Sequence, residues 1–504
     1  MVSRTEKLTK TSFSRVFTQE GGAGPSNAPV YQGLARATGI AWPQGDVTPV
    51  RVASRDKYDR FDVVTTIQGQ QGLPSLSLEF RMAQTLSDVL RFVKKGCPVD
   101  VHVHIGACQK PDDFNGGWSD GKALVLSSAQ PTDYTTDDLG ALDSDQRAIV
   151  METVPFTGLD YFEIGPLKPE TQAASTVSDE IVDIAICDSI SCGDCGLPSD
   201  GCQVVFALQG ESSGSPGIGA AIIYTSDGGS TWGKSAISSL GIGSTASAVS
   251  CVGSRLVVVS QSGESLHWAD IVDVLDGTAV WTAVTTGFVG GGGPNDIFSV
   301  SSTETWIVGQ GGYIYFTTDP TAGVTVQSSG GVTAQNLLHV HGSDQNNIVA
   351  VGASNAVVVT SNGGDSWSLV TGPDAAVQLN TVWMATPQTM HIGTDGGKMW
   401  YTINGGSTWT AKAFSGTGSG KVKDIVFASN NVGYMAHSTT APAGRIFRTI
   451  DGGYSWYLIP EQSGVSFPTI DRINALAACD SDVNVAFGGG LNADGADGVI
   501  VKVA

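Results

Sequence analysis

Four times in this chain a short apolar run leads into threonine, a variable residue, Asp or Asn, two glycines and then, three residues on, tryptophan. The copies are TSDGGSTW (225–232), TSNGGDSW (360–367), TINGGSTW (402–409) and TIDGGYSW (449–456), preceded by AIIY, AVVV, KMWY and RIFR. A β-rich run followed by Asp/Asn-Gly-Gly and a second short run is a hairpin signal, because paired glycines supply positive φ without steric cost. Asp227, Asn362, Asn404 and Asp451 can bond the amides of their own turns. Trp232, Trp367, Trp409 and Trp456 each bring a ring large enough to bury against a neighbouring unit.

A second element recurs ahead of these turns, a short apolar strand often preceded by Asn or Asp. Its copies are VDIAIC, ASAVSC, NDIFSV, NLLHVH, NTVWMA, KDIVFA and NALAAC. Aligned on their third residues they fall at Ile184, Ala248, Ile297, Leu338, Val382, Ile425 and Leu476. Most intervals are of 40–50 residues, and each unit holds further strand-like runs such as QVVFAL, NIVAVG and VNVAFG. That periodicity predicts a propeller of seven blades over residues 176–504. Units two and three carry degenerate turns, Leu275-Asp276-Gly277 leading to Trp281 and Thr318-Asp319-Pro320 leading to none. The last unit ends with the sequence at VIVKVA, so its outer strand is expected from residues near 160–180, or the blade has three strands.

The four turns resemble the Asp-box of sialidase-like and photosystem-assembly-factor-like β-propellers, with Asn362 and Asn404 in place of the family's Asp. The resemblance implies a structural turn far from any active site. A sialidase would need three converging arginines, a tyrosine nucleophile with a glutamate partner, and an acid. The propeller region has only Arg255, Arg445, Arg448 and Arg472. The chain has no HExxH motif. No catalytic residue and no cofactor is therefore expected, and the protein is read as not an enzyme.

Residues 1–175 lack the repeat. Phe61 to Gln68 reads as a strand, Leu76 to Met82 alternates at period two, a helix is expected over about 86–95, and VDVHVHI (99–105), KALVLSS (122–128) and AIVMETVPF (148–156) add strands. This predicts a β-sandwich with one packed helix. The element order is similar to that of tail-tube proteins of tailed phages, which form hexameric rings stacked into a tube with genome DNA passing through the lumen. On that resemblance residues 61–82 would line the lumen. His102 and His104 share a strand face near Cys97 and Cys108, a set more simply read as a polar face with unrelated thiols than as a metal site.

The longest interval between repeats holds Cys187, Cys192, Cys195 and Cys202 in the pattern C-x4-C-x2-C-x6-C. Three readings stand: one structural zinc ion held by all four, two disulfides stapling the loop, or free thiols. Cys251 and Cys479 read as small buried core residues.

The formal net charge is −21, and residues 176–504 hold 10 Lys+Arg against 27 Asp+Glu. Such acidity disfavours nucleic acid and anionic membrane as partners. No run is apolar for about 18 residues, and the first residues lack the apolar core of a secretory signal. Two functions follow as expectations. The first is a virion structural protein, assembled in the host cytoplasm, whose N-terminal domain builds the tube of a long non-contractile tail. Its propeller projects outward, for attachment to a host-surface glycan or protein. The second is a carbohydrate- or protein-binding propeller with an adaptor domain and no tube.

Overall fold

The structure is a computed structural model. It describes residues 14–20, 23–41, 50–55, 61–67, 75–81, 98–105, 122–131, 135–136, 151–165, 167, 169–172, 177, 179–187, 202–210, 220–240, 245–329, 331–375, 377–412, 414, 420–438, 444–459, 470–493 and 497–504. The chain divides into two units, residues 1–23 with 27–166, and residues 24–26 with 167–504.

In the first unit eight strands hydrogen-bond as one antiparallel sheet. Their order is Asp160–Ile164, Lys122–Pro131, Val99–Ile105, Ser14–Glu20, Val30–Ala41, Ser75–Arg81, Met151–Thr157 and Thr135–Thr136. The sequence suggested two stacked sheets. Instead the sheet turns back on itself, with Gln130 and Pro131 of one strand facing Thr157 and Phe156 of another. Alternation places Val99, Val101 and Val103 in a core with Val16, Leu76, Leu78, Leu124 and Phe156. His102 and His104 sit on the opposite face of the same strand, buried and not at a solvated surface. His104 packs on Phe17 at 4.7 Å between ring centroids, and burial pushes the His102 ring down to about 4. Phe61–Ile67 pairs with Val50–Arg55 in a separate two-stranded sheet. The helix expected over 86–95, Cys97 and Cys108 lie outside the described residues.

The second unit is seven four-stranded antiparallel sheets, one per repeat. Their innermost strands are Ile181–Ile186, Ala246–Val252, Pro294–Ser299, Leu337–Gly342, Leu379–Met384, Lys421–Phe427 and Ile470–Ala478, which open blades 1 to 7. Second strands such as Ile348–Gly352 and Met390–Thr394 are buried along their whole length, since blades cover both faces. That is why Ile348–Gly352, IVAVG, reads as an unbroken apolar run. Outer strands such as Gly233–Ala236 keep alternate residues in water. Blade 7 takes its fourth strand from Pro169–Thr171, which pairs with Gly498–Val503. Joining the segment ahead of blade 1 to the last strand of the repeats within one blade closes the ring.

The repeated turns share one hydrogen-bond scheme. In TSDGGSTW the Thr225 hydroxyl donates to Asp227 Oδ1 at 2.7 Å, and Thr231 N–H donates to the same oxygen at 2.8 Å. The Thr231 hydroxyl donates to Asp227 Oδ2 at 2.6 Å. Gly228 and Gly229 have φ of 67° and 95°, which only glycine adopts freely. In blades 4 and 5 the amide of Asn362 or Asn404 reverses that last bond, donating to Ser366 Oγ or Thr408 Oγ1 at 2.9 Å in both cases. Each keeps its Oδ1 as acceptor, so the turn survives the replacement. Trp367 meets Trp306 of blade 3 at 5.6 Å, Trp232 meets Phe487 of blade 7 at 6.3 Å, and Trp409 Nε1 donates to Thr371 O of blade 4. The turn of one blade therefore rests on the blade before it. In blade 2 a short helix, Ile271–Leu275, replaces the turn, yet Trp281 still packs into the core of blades 1 and 2.

Two disulfides join blade 1 to both neighbours. Cys187 pairs with Cys251 of blade 2, and Cys202 with Cys479 of blade 7. This corrects two expectations. Cys187, Cys192, Cys195 and Cys202 do not form one local set, and Cys251 and Cys479 are not passive core residues. The reason is radial geometry. Cys187 and Cys251 end neighbouring inner strands, which bring their Cα atoms to 5.9 Å, and Cys202 and Cys479 lie at 5.6 Å. Both separations suit a disulfide. Cys192 and Cys195 lie outside the described residues.

Candidate binding site at the propeller hub

Each inner strand carries a β-bulge. The register slips between Ile181 and Asp183, Ala246 and Ala248, Pro294 and Asp296, and Leu337 and His339. It slips again between Leu379 and Thr381, Val422 and Asp424, and Ile473 and Ala475. The residues that follow the bulge are thus equivalent: Asp183, Ala248, Asp296, His339, Thr381, Asp424 and Ala475. The next position holds Ile184, Val249, Ile297, Val340, Val382, Ile425 and Leu476. Ala248 and Leu338 in the sequence alignment therefore give way to Val249 and Val340.

The bulge aims these side chains at the next blade. Asp183 Oδ2 accepts from Val249 N at 2.7 Å, Asp296 Oδ2 from Val340 N at 2.8 Å, and Asp424 Oδ2 from Leu476 N at 2.8 Å. His339 stands where the others have Asp, and its Nδ1 accepts from Val382 N at 3.5 Å. Thr381 donates to Asp424 Oδ1 at 3.0 Å. The bulged residues also tie to the next blade, as donors. Asn380 Nδ2 donates to Val422 O, Asn474 Nδ2 to Ile181 O, and Ser247 Oγ to Pro294 O, at 2.9, 2.9 and 3.0 Å. A belt of side-chain bonds thus runs around the hub.

Asp424 bridges blades 5 and 7, so Asp424→Ala is expected to lower stability by about 1–3 kcal/mol by orphaning buried donors. Asp424→Asn, which keeps an acceptor, should lose less, and urea melts of the two variants check the order.

Below this belt the inner strands enclose a bowl of about 300 Å3. Its floor is Asp183, Asp296, His339 and Asp424. His339 lies between two carboxylates, Nδ1 3.8 Å from Asp296 and Nε2 3.7 Å from Asp424. Burial, and then Asp296 nearby, hold the Asp183 carboxyl well above the usual range. Burial also raises Asp296, against the pull of His339. One side of the wall is a chain of rings: Phe298 to His341 at 4.6 Å, His341 to Trp383 at 4.0 Å, and Trp383 to Phe427 at 5.8 Å. Burial and then His339 push the His341 ring down to about 3, so it is a neutral ring in this wall. The facing side is made of small residues, among them Ala185, Ser250 and Ala477.

None of the arginines singled out in the sequence lines the bowl. Arg472 is bound by Glu180 at 2.6 Å, Arg448 donates to Asn484 at 2.9 Å, and Arg255 lies 3.7 Å from Asp319. Arg445 donates to Gly444 O at 2.9 Å. The carboxylates of the floor were visible in the sequence only as the Asn or Asp ahead of the apolar inner strand. His339 was hidden by the misplaced register of its unit.

No family model matches the sequence, and no curated protein matches it. Among solved structures, YCF48 from Cyanidioschyzon merolae is similar, with 16% identity and a TM-score of 0.50, over 66% of this chain and 98% of that one. A structure of YCF48 bound to D1 peptide aligns at 15% identity and a TM-score of 0.48, over 67% of this chain and 95% of that one. The WD40 repeats of RRP9 align at 12% identity and a TM-score of 0.49, over 67% and 98% of the two chains. At such identities the likeness to the first is one of fold, and the fold it shares with this chain is the seven-bladed β-propeller.

Proposed function

We propose that the propeller is a protein-binding module and that a segment of the partner chain enters the hub bowl. The observation that carries this reading is the bowl itself. It is an open concavity with an apolar, ring-lined wall and a few convergent polar groups, the composition of a recognition site. The surroundings support it. The side-chain belt, the fourth strand of blade 7 and two disulfides make a pre-organised frame, and a rigid frame loses little entropy on binding. This favours the second expectation from the sequence over the tail tube, to which the described strands of the first unit lend no support.

Selection of displayed random peptides on the full-length chain tests the reading. Peptides that bind the native protein should lose at least about tenfold in affinity for Trp383→Ala, since an aromatic anchor in a pocket is worth that much. The variant should keep the parent's far-UV spectrum and fold, while melting lower, because Trp383 also packs against His341 and Phe427. Peptides that bind it equally well would move the site away from the hub. Electron microscopy of the purified protein separates the other reading, because a tube-former shows stacked rings.

A further inference from the structure

We infer that the bowl selects a lysine or arginine side chain on the partner segment. This rests on the proposed protein-binding function and names the group recognised. Four aspartates, Asp183, Asp296, Asp424 and Asp480, are among the lining residues, and no lysine or arginine is. The nearby cations Arg472 and Lys421 are held by Glu180 and Asp395, and Lys423, at the bulge beside Asp424, is drawn to the same two carboxylates. Within the bowl the carboxyls of Asp183, Asp296 and Asp424 face one ring able to carry positive charge, His339, 3.8 Å from Asp296 and 3.7 Å from Asp424.

The belt bonds do not use up the floor. A carboxylate offers about four acceptor sites. Asp183 spends one on Ile184 N and one on Val249 N, and Asp296 gives Oδ2 to Val340 N. Free lone pairs remain on groups that line the cavity.

The wall sets the shape of the ligand. Phe298, His341, Trp383 and Phe427 present a run of ring faces beside the floor. Ring faces attract a cation and also pack the methylene stem that carries it. An anionic group would meet four acidic residues. A wholly apolar side chain would cover carboxylates without neutralising them, which is costly. A cation on an apolar stem satisfies both wall and floor.

The test uses the full chain and four probes: N-acetyl-lysine methylamide, N-acetyl-arginine methylamide, the neutral N-acetyl-norleucine methylamide, and cadaverine as a free amine. Titration calorimetry is expected to give the cationic amino-acid probes at least about a tenfold advantage over norleucine. Asp296→Asn keeps an acceptor for Val340 N–H and should erase that advantage without changing the melting temperature. Trp383→Ala should weaken all three amino-acid probes. Equal binding of norleucine and lysine probes, or an advantage that survives Asp296→Asn, overturns the cation assignment. Loss of all three probes in Trp383→Ala would then leave the protein-binding reading standing. Cadaverine binding more tightly than the lysine probe overturns the assignment to a partner's side chain. Display-selected peptides indifferent to Trp383→Ala count separately, against the protein-binding reading itself.

Discussion

Replacing Cys202 and Cys479 by serine is expected to lower the stability of the propeller by about 2–4 kcal/mol, the usual worth of a disulfide. The bond spans 277 residues of sequence, close to the whole circumference of the ring. Without it the denatured chain regains the freedom that long-range cross-linking removes. The same bond sits at the seam between blades 7 and 1, where Arg472 meets Glu180 and Asn474 reaches Ile181 O. The seam should therefore open first when the cysteines are reduced. Thermal melts with and without a phosphine reductant check this: the native protein should shift to the curve of the double variant and its Cys187/Cys251 counterpart combined. A chelator should leave the melt unchanged, because Cys187 and Cys202 have already spent their thiols. A melt indifferent to reductant would refute the pairing.

Acid is expected to destabilise the propeller steeply between about pH 6.5 and pH 5, because four histidines are buried in neutral form. Burial pushes His267 and His437 down to about 4 and His391 to about 3, and burial together with His339 does the same to His341. Their pKa values in the folded state lie below the unfolded value. Above the unfolded value neither state holds the proton and the groups are silent. Below it the unfolded chain takes up protons that the native protein refuses, so stability falls with pH. Each such histidine contributes at most about 1.4 kcal/mol per pH unit. Asp183, Asp296 and Asp451, raised by burial, act with the opposite sign. They bind protons in the folded state before the unfolded chain does, and should soften the loss toward the acid end. Denaturant melts of the parent from pH 7.5 to 5, beside His391→Phe, test the assignment. The variant should show the shallower slope. Equal slopes would remove His391 from the account, and no slope would remove all four.

Local features were legible in the sequence because they are written in adjacent residues. Thr225, Asp227 and the Gly228-Gly229 pair specify a turn whatever lies around them, and Trp232 follows from it. The period of apolar strands gave seven blades, and the shortage of strands at the end of the chain pointed upstream to the segment that holds Pro169–Thr171. The first unit was less legible. Its strands could be placed, but alternation along a strand says which residues face inward and not how a sheet's two ends meet.

The hub and the cysteines were the other failures, and they share a cause. Leu338 was aligned where Val340 belongs because the unit was matched on Asn336, whereas the bulged position that holds Asn380 and Asn474 in other blades holds Leu338 in this one. That slip hid His339 from its equivalents Asp183, Asp296 and Asp424. Cys187 was grouped with Cys192, Cys195 and Cys202 because they are near in sequence, whereas its partner is in the next blade, 64 residues on.

From sequence alone came the repeat, the number of blades, the turn chemistry and the supply of the closing strand, since all of these are set by local conformational preference and hydrophobic period. Tertiary structure decided which cysteines meet, which aspartates face one another across the hub, and that rings gather on one side of the bowl. Those relations join residues of different blades, and only closing the ring brings them within reach.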